Sequence, residues 1–317
     1  MQAPARIPVI ELLKTWGPDQ RPVVTIDEAN RYCRDLTLSH GENFSVLTRY
    51  VPGSMLEGVC AVYAFCRWAD DLGDETGDPD ESLRLLTWWR EELERCFEGS
   101  PSHPVFMALA PVVERHELSK APFEALIDAF EQDQTKTRYD TWDEVLGYCR
   151  CSADPVGRLV LALAGEPCSE KQLVASDAVC TALQLTNHWQ DVHRDLVERN
   201  RIYLPSELHS ITNFESRLRS TVDMKHAPDA TFLESYRELL RTCVERTWDL
   251  FHEGNSLLEM VGRDIRPVIW LFQAGGTTVL HRIEQWNFET CLGRPRIGAM
   301  TKMYLAFKAA RQGRGGS

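Results

Sequence analysis

Two short runs of acidic and amide residues have the types and spacing to bind metal ions. The first is Asp70-Asp71-Leu72-Gly73-Asp74, which follows a long apolar stretch. In a helix, Asp70 and Asp74 share one face and stand about 6 Å apart along the axis. Carboxylates at the C-terminal end of a helix repel one another and oppose the helix dipole, so a bound cation would stabilise them. Taken alone, the run is equally typical of a solvated acidic helix end.

The second run repeats this pattern further along the chain. Asn187, Asp191 and Asp195 recur every four residues, so these oxygen-bearing side chains share one helical stripe. Gln184 lies three residues before Asn187 and therefore on the same side. An exposed face with a salt bridge to Arg194 is the alternative interpretation of this run alone.

Taken together, the two runs indicate magnesium and diphosphate chemistry. Magnesium prefers oxygen ligands, takes one or two carboxylates, and completes its octahedron with water and phosphate oxygens. Arg67 lies three residues before Asp70, on the same face, where its guanidinium can contact phosphates. We therefore predict metal-assisted departure of a diphosphate, with the carbocation held in an apolar, aromatic interior.

Composition excludes several other classes of protein. The 317 residues include 35 Lys and Arg against 47 Asp and Glu, a net charge of −12, which argues against a nucleic-acid partner. We find no secretory leader and no apolar run of the roughly 20 residues that span a bilayer. The ten cysteines lie mostly in apolar helical stretches, as expected for reduced thiols in the cytoplasm.

The elements that must position these side chains are helices, because the periodicity is helical almost throughout. We predict one all-α domain over residues 1–317, with an extended arm over 1–20 and a frayed tail over 312–317. The predicted helices cover 26–38, 54–71, 80–97, 103–117, 121–130, 141–165, 169–199, 214–222, 229–261, 265–289 and 297–311.

Four segments resemble the squalene/phytoene synthase family. The stretch from Tyr63 to Glu75 looks like its first aspartate-rich motif, and the stretch from Asn187 to Pro205 looks like its second. The segments 40–45 and 148–157 are similar to its substrate-flap segment and to its "YC…A…VG" segment. The likeness covers about residues 30–300 and implies a single-domain isoprenoid-synthase helical bundle with a central cavity.

The resemblance also implies a role for each matching residue. It implies that Tyr148 accepts a proton or stabilises the cation, although a packed aromatic with a satisfied hydroxyl is the alternative. It implies metal ligation and catalysis by Asp70, Asp74 and Asp191, and further metal ligation by Asn187 and Asp195. The residues that it implies in diphosphate or substrate contacts are Asn43, Tyr63, Arg67, Gln184 and Arg201. The residues that it implies in the lining of a cavity for the substrate tail are Phe44, Ala153, Gly157 and Leu161.

Two departures from the family pattern bear on the product. Gln190 stands in the substrate-binding position where many condensing members carry an arginine, and the run 274–277 has no aromatic where some relatives place a tyrosine. In both respects the chain resembles the HpnC branch, from bacterial hopanoid pathways. That resemblance implies that presqualene diphosphate, made by a sister synthase, is converted to hydroxysqualene by water capture.

The same resemblance guides our expectations for cofactors and location. We expect several Mg²⁺ ions and no NADPH, because water capture needs no reductant. Since the substrate tails are apolar, we expect transient contact with the inner face of a membrane, although no basic amphipathic helix is obvious in the sequence.

Three other interpretations remain open at this point. The chain could condense two prenyl diphosphates such as farnesyl diphosphate head to head, giving squalene or a phytoene-like product. It could be a non-catalytic assembly relative, although such a protein has no need to keep both aspartate motifs. A di-iron bundle is disfavoured, because no histidine follows a glutamate by three residues.

Overall fold

The computed structural model describes residues 7–20, 23–39, 50–223 and 229–312. The regular elements in these residues are helical, and the only strand-like feature among them is an isolated bridge between Arg138 and Ile202. The prediction of an all-α fold is confirmed. In chain order the α-helices are α1 (Val9–Trp16), α2 (Ile26–Ser39), α3 (Leu56–Asp74), α4 (Pro79–Phe97), α5 (Pro104–His116), α6 (Ala121–Gln132), α7 (Trp142–Ser152), α8 (Asp154–Leu163), α9 (Glu170–Gln190), α10 (Val192–Arg199), α11 (Phe214–Asp223), α12 (Ala230–Gly254), α13 (Leu257–Met260), α14 (Arg266–Gln285) and α15 (Ala299–Gln312).

The chain divides into two compact units, and each aspartate motif belongs to a different one. The first unit comprises Met1–Thr135, Pro155–Ser169 and Gly262–Val268. The second comprises Lys136–Asp154, Glu170–Val261 and Ile269–Ser317. A single domain with a central cavity therefore stays a prediction.

The core of the first unit forms around α3. This helix packs against α2, α4, α5 and α6, and its buried faces carry large aromatic side chains. Trp68 stacks on Trp89 with ring centroids 5.3 Å apart, and Phe65 meets Phe123 edge to face at 5.0 Å. Aromatic pairs of this kind bury a large apolar area and fix the rotation of the helix about its axis.

The core of the second unit forms around α9, which packs against α7, α12 and α13. Trp189 is fully buried, and its indole Nε1 donates a hydrogen bond to Thr247 Oγ1 at 2.8 Å. Gln172 Nε2 donates to the carbonyl oxygen of Met260 at 3.1 Å. These two bonds are made near opposite ends of α9, and both orient it against neighbouring helices.

Four predicted elements are wrong in detail. The predicted extended arm contains α1, which begins directly after its N-cap residue, Pro8. The helix predicted over 141–165 breaks at Ala153, since Pro155 has no N–H to continue the backbone hydrogen bonds. The helices predicted over 169–199 and 229–261 break at Asp191 and after Gly254.

We find no helix long and apolar enough to cross a membrane in 7–20, 23–39, 50–223 and 229–312.

Candidate active site

The first aspartate motif lies on a narrow accessible stripe of α3. From Gly58 to Gly73 every residue is buried except Tyr63, Cys66, Arg67 and Asp70. Asp74, at the end of the helix, continues this partly exposed line one turn after Asp70. A solvated helix end would expose a broader face, so the stripe favours the interpretation as a binding site. Tyr63, Arg67, Asp70 and Asp74 thus lie on one stripe, and their roles stay predictions.

The remaining carboxylates of this motif have structural partners. Asp71 is only 3% exposed, and Arg67 Nε donates to its Oδ2 at 2.9 Å. Arg67 Nη1 also lies 3.0 Å from Asp70 Oδ2, so one guanidinium bridges both side chains. Glu75 Oε2 accepts a hydrogen bond from the backbone N–H of Val9 at 2.8 Å and so caps α1. The two carboxylates left on the accessible stripe are those predicted to bind metal, Asp70 and Asp74.

A second accessible stripe, on α9, carries the start of the second motif. Between Ala175 and Gln190 every residue is buried except Asp177, Cys180, Leu183, Gln184 and Asn187. These positions recur at intervals of three and four, so they lie on one face of the helix. Gln184, predicted to contact the substrate, and Asn187, predicted to bind metal, therefore share a face, and Asn187 is the more exposed.

The chain departs from regular helix at the next position on this stripe, Asp191. Its backbone has φ −105° and ψ 13°, and it ends α9 and begins α10. The hydrogen bonds from Asp191 N to Asn187 O, at 2.9 Å, and from Asp195 N to Asp191 O, at 2.8 Å, still run through the break. Because the turn is preserved, Asn187, Asp191 and Asp195 keep the shared face that their spacing predicts.

Asp191 is 3% exposed and is held by two arginines. Arg194 Nη2 lies 2.7 Å from its Oδ2. Arg294, from the segment before α15, donates through Nη2 to the same oxygen at 3.2 Å and pairs through Nε with Oδ1. A buried carboxylate requires such partners, because an uncompensated charge would be costly to bury.

Asp195 is buried as well, and its surroundings disfavour its charge. Burial raises the pKa of Asp195 to about 6, and the neighbouring charge of Asp191 acts in the same direction. Arg194 and Arg199 oppose this shift, with Nη atoms 3.5 Å and 3.3 Å from Asp195 Oδ1. A cation bound at this carboxylate would, like the two arginines, favour the charged form of Asp195.

Gln190 fixes the segment that carries Arg294. Its Nε2 donates to the carbonyl oxygen of Pro295 at 2.6 Å, and its Oε1 accepts from Arg294 Nη2 at 3.3 Å. The Gln190 side chain is 6% exposed, so both hydrogen bonds form away from bulk water. Gln190 and Asp191 therefore bind the same guanidinium, which gives this motif a cation from a distant part of the chain.

Tyr148 lies in a cluster of stacked rings. Thr141 caps the start of α7, which carries Tyr148, by accepting a hydrogen bond from Glu144 N at 3.2 Å. The Tyr148 ring lies 5.4 Å from Tyr203 and 5.7 Å from His188, measured between centroids. Tyr148 is 4% exposed, so the structure agrees with a packed aromatic, and its ring lies beside His188 of the second motif.

His188 belongs to this cluster and stacks on Tyr203, with ring centroids 3.7 Å apart. Burial lowers the pKa of His188 to about 3, and the positive charge of Arg201 adds to this effect. Arg201 is itself 8% exposed, and its backbone N–H donates to the carbonyl of Asp195 at 3.0 Å. The histidine ring is therefore neutral at physiological pH.

Comparison with known proteins now gives the context of these features. Residues 37–301 match the squalene/phytoene synthase family. The crystal structure of squalene synthase HpnC from Alicyclobacillus acidocaldarius is 38% identical, with a TM-score of 0.72, over 84% of this chain and 97% of that one. A phytoene synthase from Arthrospira platensis is 28% identical over 90% of this chain and 94% of its own length. A hydroxysqualene synthase from Rhodopseudomonas palustris is 40% identical over 53% of this chain and 56% of its own length.

The chain belongs to the squalene/phytoene synthase family. The expected isoprenoid-synthase helical fold is thereby confirmed, and the chain is an enzyme of this family. Within this family the two motif stripes are the candidate substrate-binding faces, one in each compact unit. Two of the predicted contact residues, Asn43 and Phe44, lie outside the residues that the structure describes.

One position of the run 274–277 in α14 has no room for an aromatic side chain. A Cβ atom added to Gly276 would lie 2.4 Å from Leu183 Cδ2 and 2.8 Å from Phe251 Cζ, so no larger side chain fits without repacking. A Cβ on the preceding residue, Gly275, would meet nothing within 4 Å. The tyrosine that some family members carry in this region is therefore excluded at Gly276 by the packing of α9 and α12.

Sequence reasoning missed Arg294 as a site residue. It lies 103 residues after Asp191, in the run Gly293-Arg294-Pro295-Arg296, which has no periodicity to relate it to the motif. The only local signal is that position 190, where many condensing relatives carry an arginine, is a glutamine. A cation from another part of the chain can take the place of that arginine.

Proposed function

We propose that this chain ionises presqualene diphosphate with magnesium, lets the carbocation rearrange, and captures it with water to give hydroxysqualene. The observation that carries the proposal is the contact of Gln190 with Arg294 and Pro295. An arginine at position 190, as in condensing relatives, would stand beside Arg294 as a second cation. With glutamine there, Arg294 is the cation that Gln190 and Asp191 share, and the motif has one cation fewer than in condensing relatives, which suits a substrate with one diphosphate.

The relatives that resemble this chain support the same proposal. The protein from Rhodopseudomonas palustris, 40% identical over 171 residues, is a hydroxysqualene synthase. The structure of the Alicyclobacillus acidocaldarius protein, 38% identical, is that of a squalene synthase, HpnC. Both names concern triterpene chemistry, and we extend the hydroxysqualene reaction to this chain on the strength of Gln190.

The donor chemistry of the two stripes suits magnesium. Among the described residues, no group of three or more His, Cys, Asp or Glu side chains is arranged to hold an ion by itself. The stripes offer only carboxylate and amide oxygens, and magnesium accepts one or two carboxylates with water and phosphate oxygens. We propose that its ligands are Asp70 and Asp74 in the first unit, and Asn187, Asp191 and Asp195 in the second.

Bound magnesium would neutralise the charge that develops on the departing diphosphate. The arginines act beside it, because Arg67, Arg194 and Arg294 already pair with carboxylates of the two motifs. Once those carboxylates bind a cation, the guanidinium groups can turn to phosphate oxygens, for which their fork of donors is suited. The ring of Tyr148 can stabilise positive charge in the substrate.

The proposal carries expectations for cofactors, supply and place. The reaction consumes water and needs no nicotinamide cofactor. A sister synthase would supply presqualene diphosphate. Because this substrate has apolar tails, the reaction would take place at the inner surface of a membrane.

Head-to-head condensation of two prenyl diphosphates is the second candidate. The observation that favours it is the match to the Arthrospira platensis phytoene synthase, which extends over 94% of that protein. Its identity is lower, at 28%, but the alignment includes regions that the hydroxysqualene synthase alignment leaves out.

Parallel incubations test the proposal against this alternative. The purified chain is given Mg²⁺ with presqualene, farnesyl or geranylgeranyl diphosphate, each with and without NADPH, and the products are separated by chromatography. We expect hydroxysqualene from presqualene diphosphate only, and no product from the Asp70→Asn or Asp191→Asn variants. Efficient formation of a C30 or C40 hydrocarbon from farnesyl or geranylgeranyl diphosphate would overturn the proposal.

A further inference from the structure

The last described helix, α15, turns its largest apolar side chains outward. Met300, Met303, Tyr304 and Phe307 are 81%, 67%, 54% and 63% exposed. Their spacing of three, one and three residues puts them on one face of the helix. Ala309 is fully buried, so the small side chain faces inward. This is the reverse of a helix that packs on its own core, and such an exposed apolar face marks an interaction surface.

The charged side chains in the sequence around this face are all positive. Residues 290–317 contain six Lys and Arg and no Asp or Glu, in a chain whose net charge is −12. Lys308 Nζ lies 4.7 Å from the centroid of the Tyr304 ring, and Arg311 Cζ lies 6.0 Å from that of Phe307. The cationic groups therefore border the apolar stripe directly, with Lys308 and Arg311 exposed.

We propose that α15 docks this chain on an anionic bilayer surface. Apolar side chains next to Lys and Arg on one helix match the acyl boundary and the phosphate groups of such a surface. A second copy of the chain fits less well, because a symmetric contact through this face would bring like charges together. The proposal deepens the membrane contact of the proposed function by naming its element and its lipid charge.

The position of α15 links docking to the active site of the second unit. The helix begins four residues after Pro295, whose carbonyl accepts the hydrogen bond from Gln190. Four residues span at most about 14 Å. The second aspartate motif is thereby tethered close to the surface on which α15 lies, where an apolar substrate would enter from the bilayer.

Vesicle sedimentation in the absence of substrate tests the proposal. The full chain is mixed with vesicles of phosphatidylcholine alone, or of phosphatidylcholine with phosphatidylglycerol. We expect sedimentation with the anionic vesicles only, weakening as salt is added because exposed charges are screened. Equal binding to both kinds of vesicle, or to neither, would overturn the proposal.

Two double variants separate the apolar contribution of this face to vesicle binding from its electrostatic contribution. Met303→Ser with Phe307→Ser removes apolar contact, and Lys308→Glu with Arg311→Glu reverses charge. Each cation near an anionic surface contributes roughly fivefold to partitioning, so we expect at least about a tenfold loss of vesicle binding for the charge variant. The matched control is Lys171→Glu with Val174→Ser, which changes exposed residues on α9 and should bind as the parent does.

Two further measurements distinguish a failure of the docking proposal from a failure of the proposed function and from self-association of the chain. Detergent-dispersed presqualene diphosphate should be turned over equally by the parent and the α15 variants, so a failed vesicle assay is separable from a failed proposed function. Analytical ultracentrifugation tests for self-association. If the parent is a dimer that the Met303→Ser, Phe307→Ser variant dissociates, and neither binds vesicles, the face joins two copies and the docking proposal is wrong.

Discussion

Arg294 Nη2 donates to Asp191 Oδ2 at 3.2 Å from a position 103 residues further along the chain. The second aspartate motif therefore has a cation that its own sequence does not encode. Arg194 also contacts Asp191 from within the motif, and relatives with arginine in the place of Gln190 carry a further cation there. Here the fold supplies it, and Gln190 holds it in place.

We expect Arg294→Ala to lower kcat/KM for diphosphate release by roughly a hundredfold, because loss of one charged donor at a developing anion typically has that effect. Arg294→Lys should recover part of the activity through charge alone. The measurement is steady-state release of diphosphate with Mg²⁺, with kcat and KM determined separately. Arg296→Ala is the matched control, since Arg296 is exposed two residues away; equal losses in both variants would contradict the assigned role.

Gln190 and Arg294 should be energetically coupled. Gln190→Ala removes the side chain that binds both Arg294 and the Pro295 carbonyl, so we expect a marked loss of kcat/KM in the parent background. In the Arg294→Ala background the same change should cost much less, because the group it positions is already absent. The double-mutant cycle is measured with presqualene diphosphate, and additive effects would show that Gln190 acts independently.

Two adjacent glycines of α14 should respond oppositely to alanine. Gly276→Ala forces a Cβ to within 2.4 Å of Leu183, which we expect to cost about 1–3 kcal/mol of unfolding free energy. Gly275→Ala meets no atom within 4 Å and should be neutral, or stabilise by about 0.5–1 kcal/mol through helix propensity. Urea unfolding of both variants measures the difference, and shifts of the same sign would refute the steric account.

Much of the fold was predictable from the sequence, because helical periodicity and local caps are encoded in neighbouring residues. The Thr25 and Glu28 side chains cap the start of α2 as their spacing suggests, with Glu28 N donating to Thr25 Oγ1 at 3.3 Å. The break before Pro155 follows from proline chemistry and could have been anticipated. The break at Asp191 has neither proline nor glycine beside it, and its carboxylate is bound by the distant Arg294.

The site was predictable to the extent that it follows helical spacing. Asp70 with Asp74, and Asn187 with Asp191, share faces because residues four apart always do in a helix. The structural roles of Asp71 and Glu75 were not predictable, since Glu75 caps a helix that lies 66 residues earlier in the chain. The docking face of α15 was missed although the spacing of Met300, Met303 and Phe307 is in the sequence, because only the structure shows that this face is the exposed one.

Stability should fall on acidification because of His188. Its pKa is about 3 in the folded chain, against an ordinary value near 6.5. The folded state therefore binds fewer protons than the unfolded state below pH 6.5, and stability is lost as pH falls towards 3. At about pH 5 this group alone should cost on the order of 2 kcal/mol relative to pH 7.

Urea unfolding at the two pH values, in the parent and in His188→Phe, measures this contribution. Phenylalanine keeps a ring to stack on Tyr203 but cannot titrate, so the variant should lose less stability on acidification. Burial also lowers the pKa of His103 to about 3. Because His103 is present in both proteins, both should keep part of the loss of stability at low pH. An identical loss of stability in both proteins would contradict the assignment to His188.

Oxygen-isotope labelling tests the central claim most directly. The purified chain is incubated with presqualene diphosphate and Mg²⁺ in ¹⁸O-enriched water, with no nicotinamide cofactor, and the product is examined by mass spectrometry. The account predicts hydroxysqualene whose alcohol oxygen carries ¹⁸O, since water captures the rearranged cation. Recovery of presqualene diphosphate unchanged, or an alcohol without ¹⁸O, would contradict it, as would squalene formed from farnesyl diphosphate in a parallel incubation that contains NADPH.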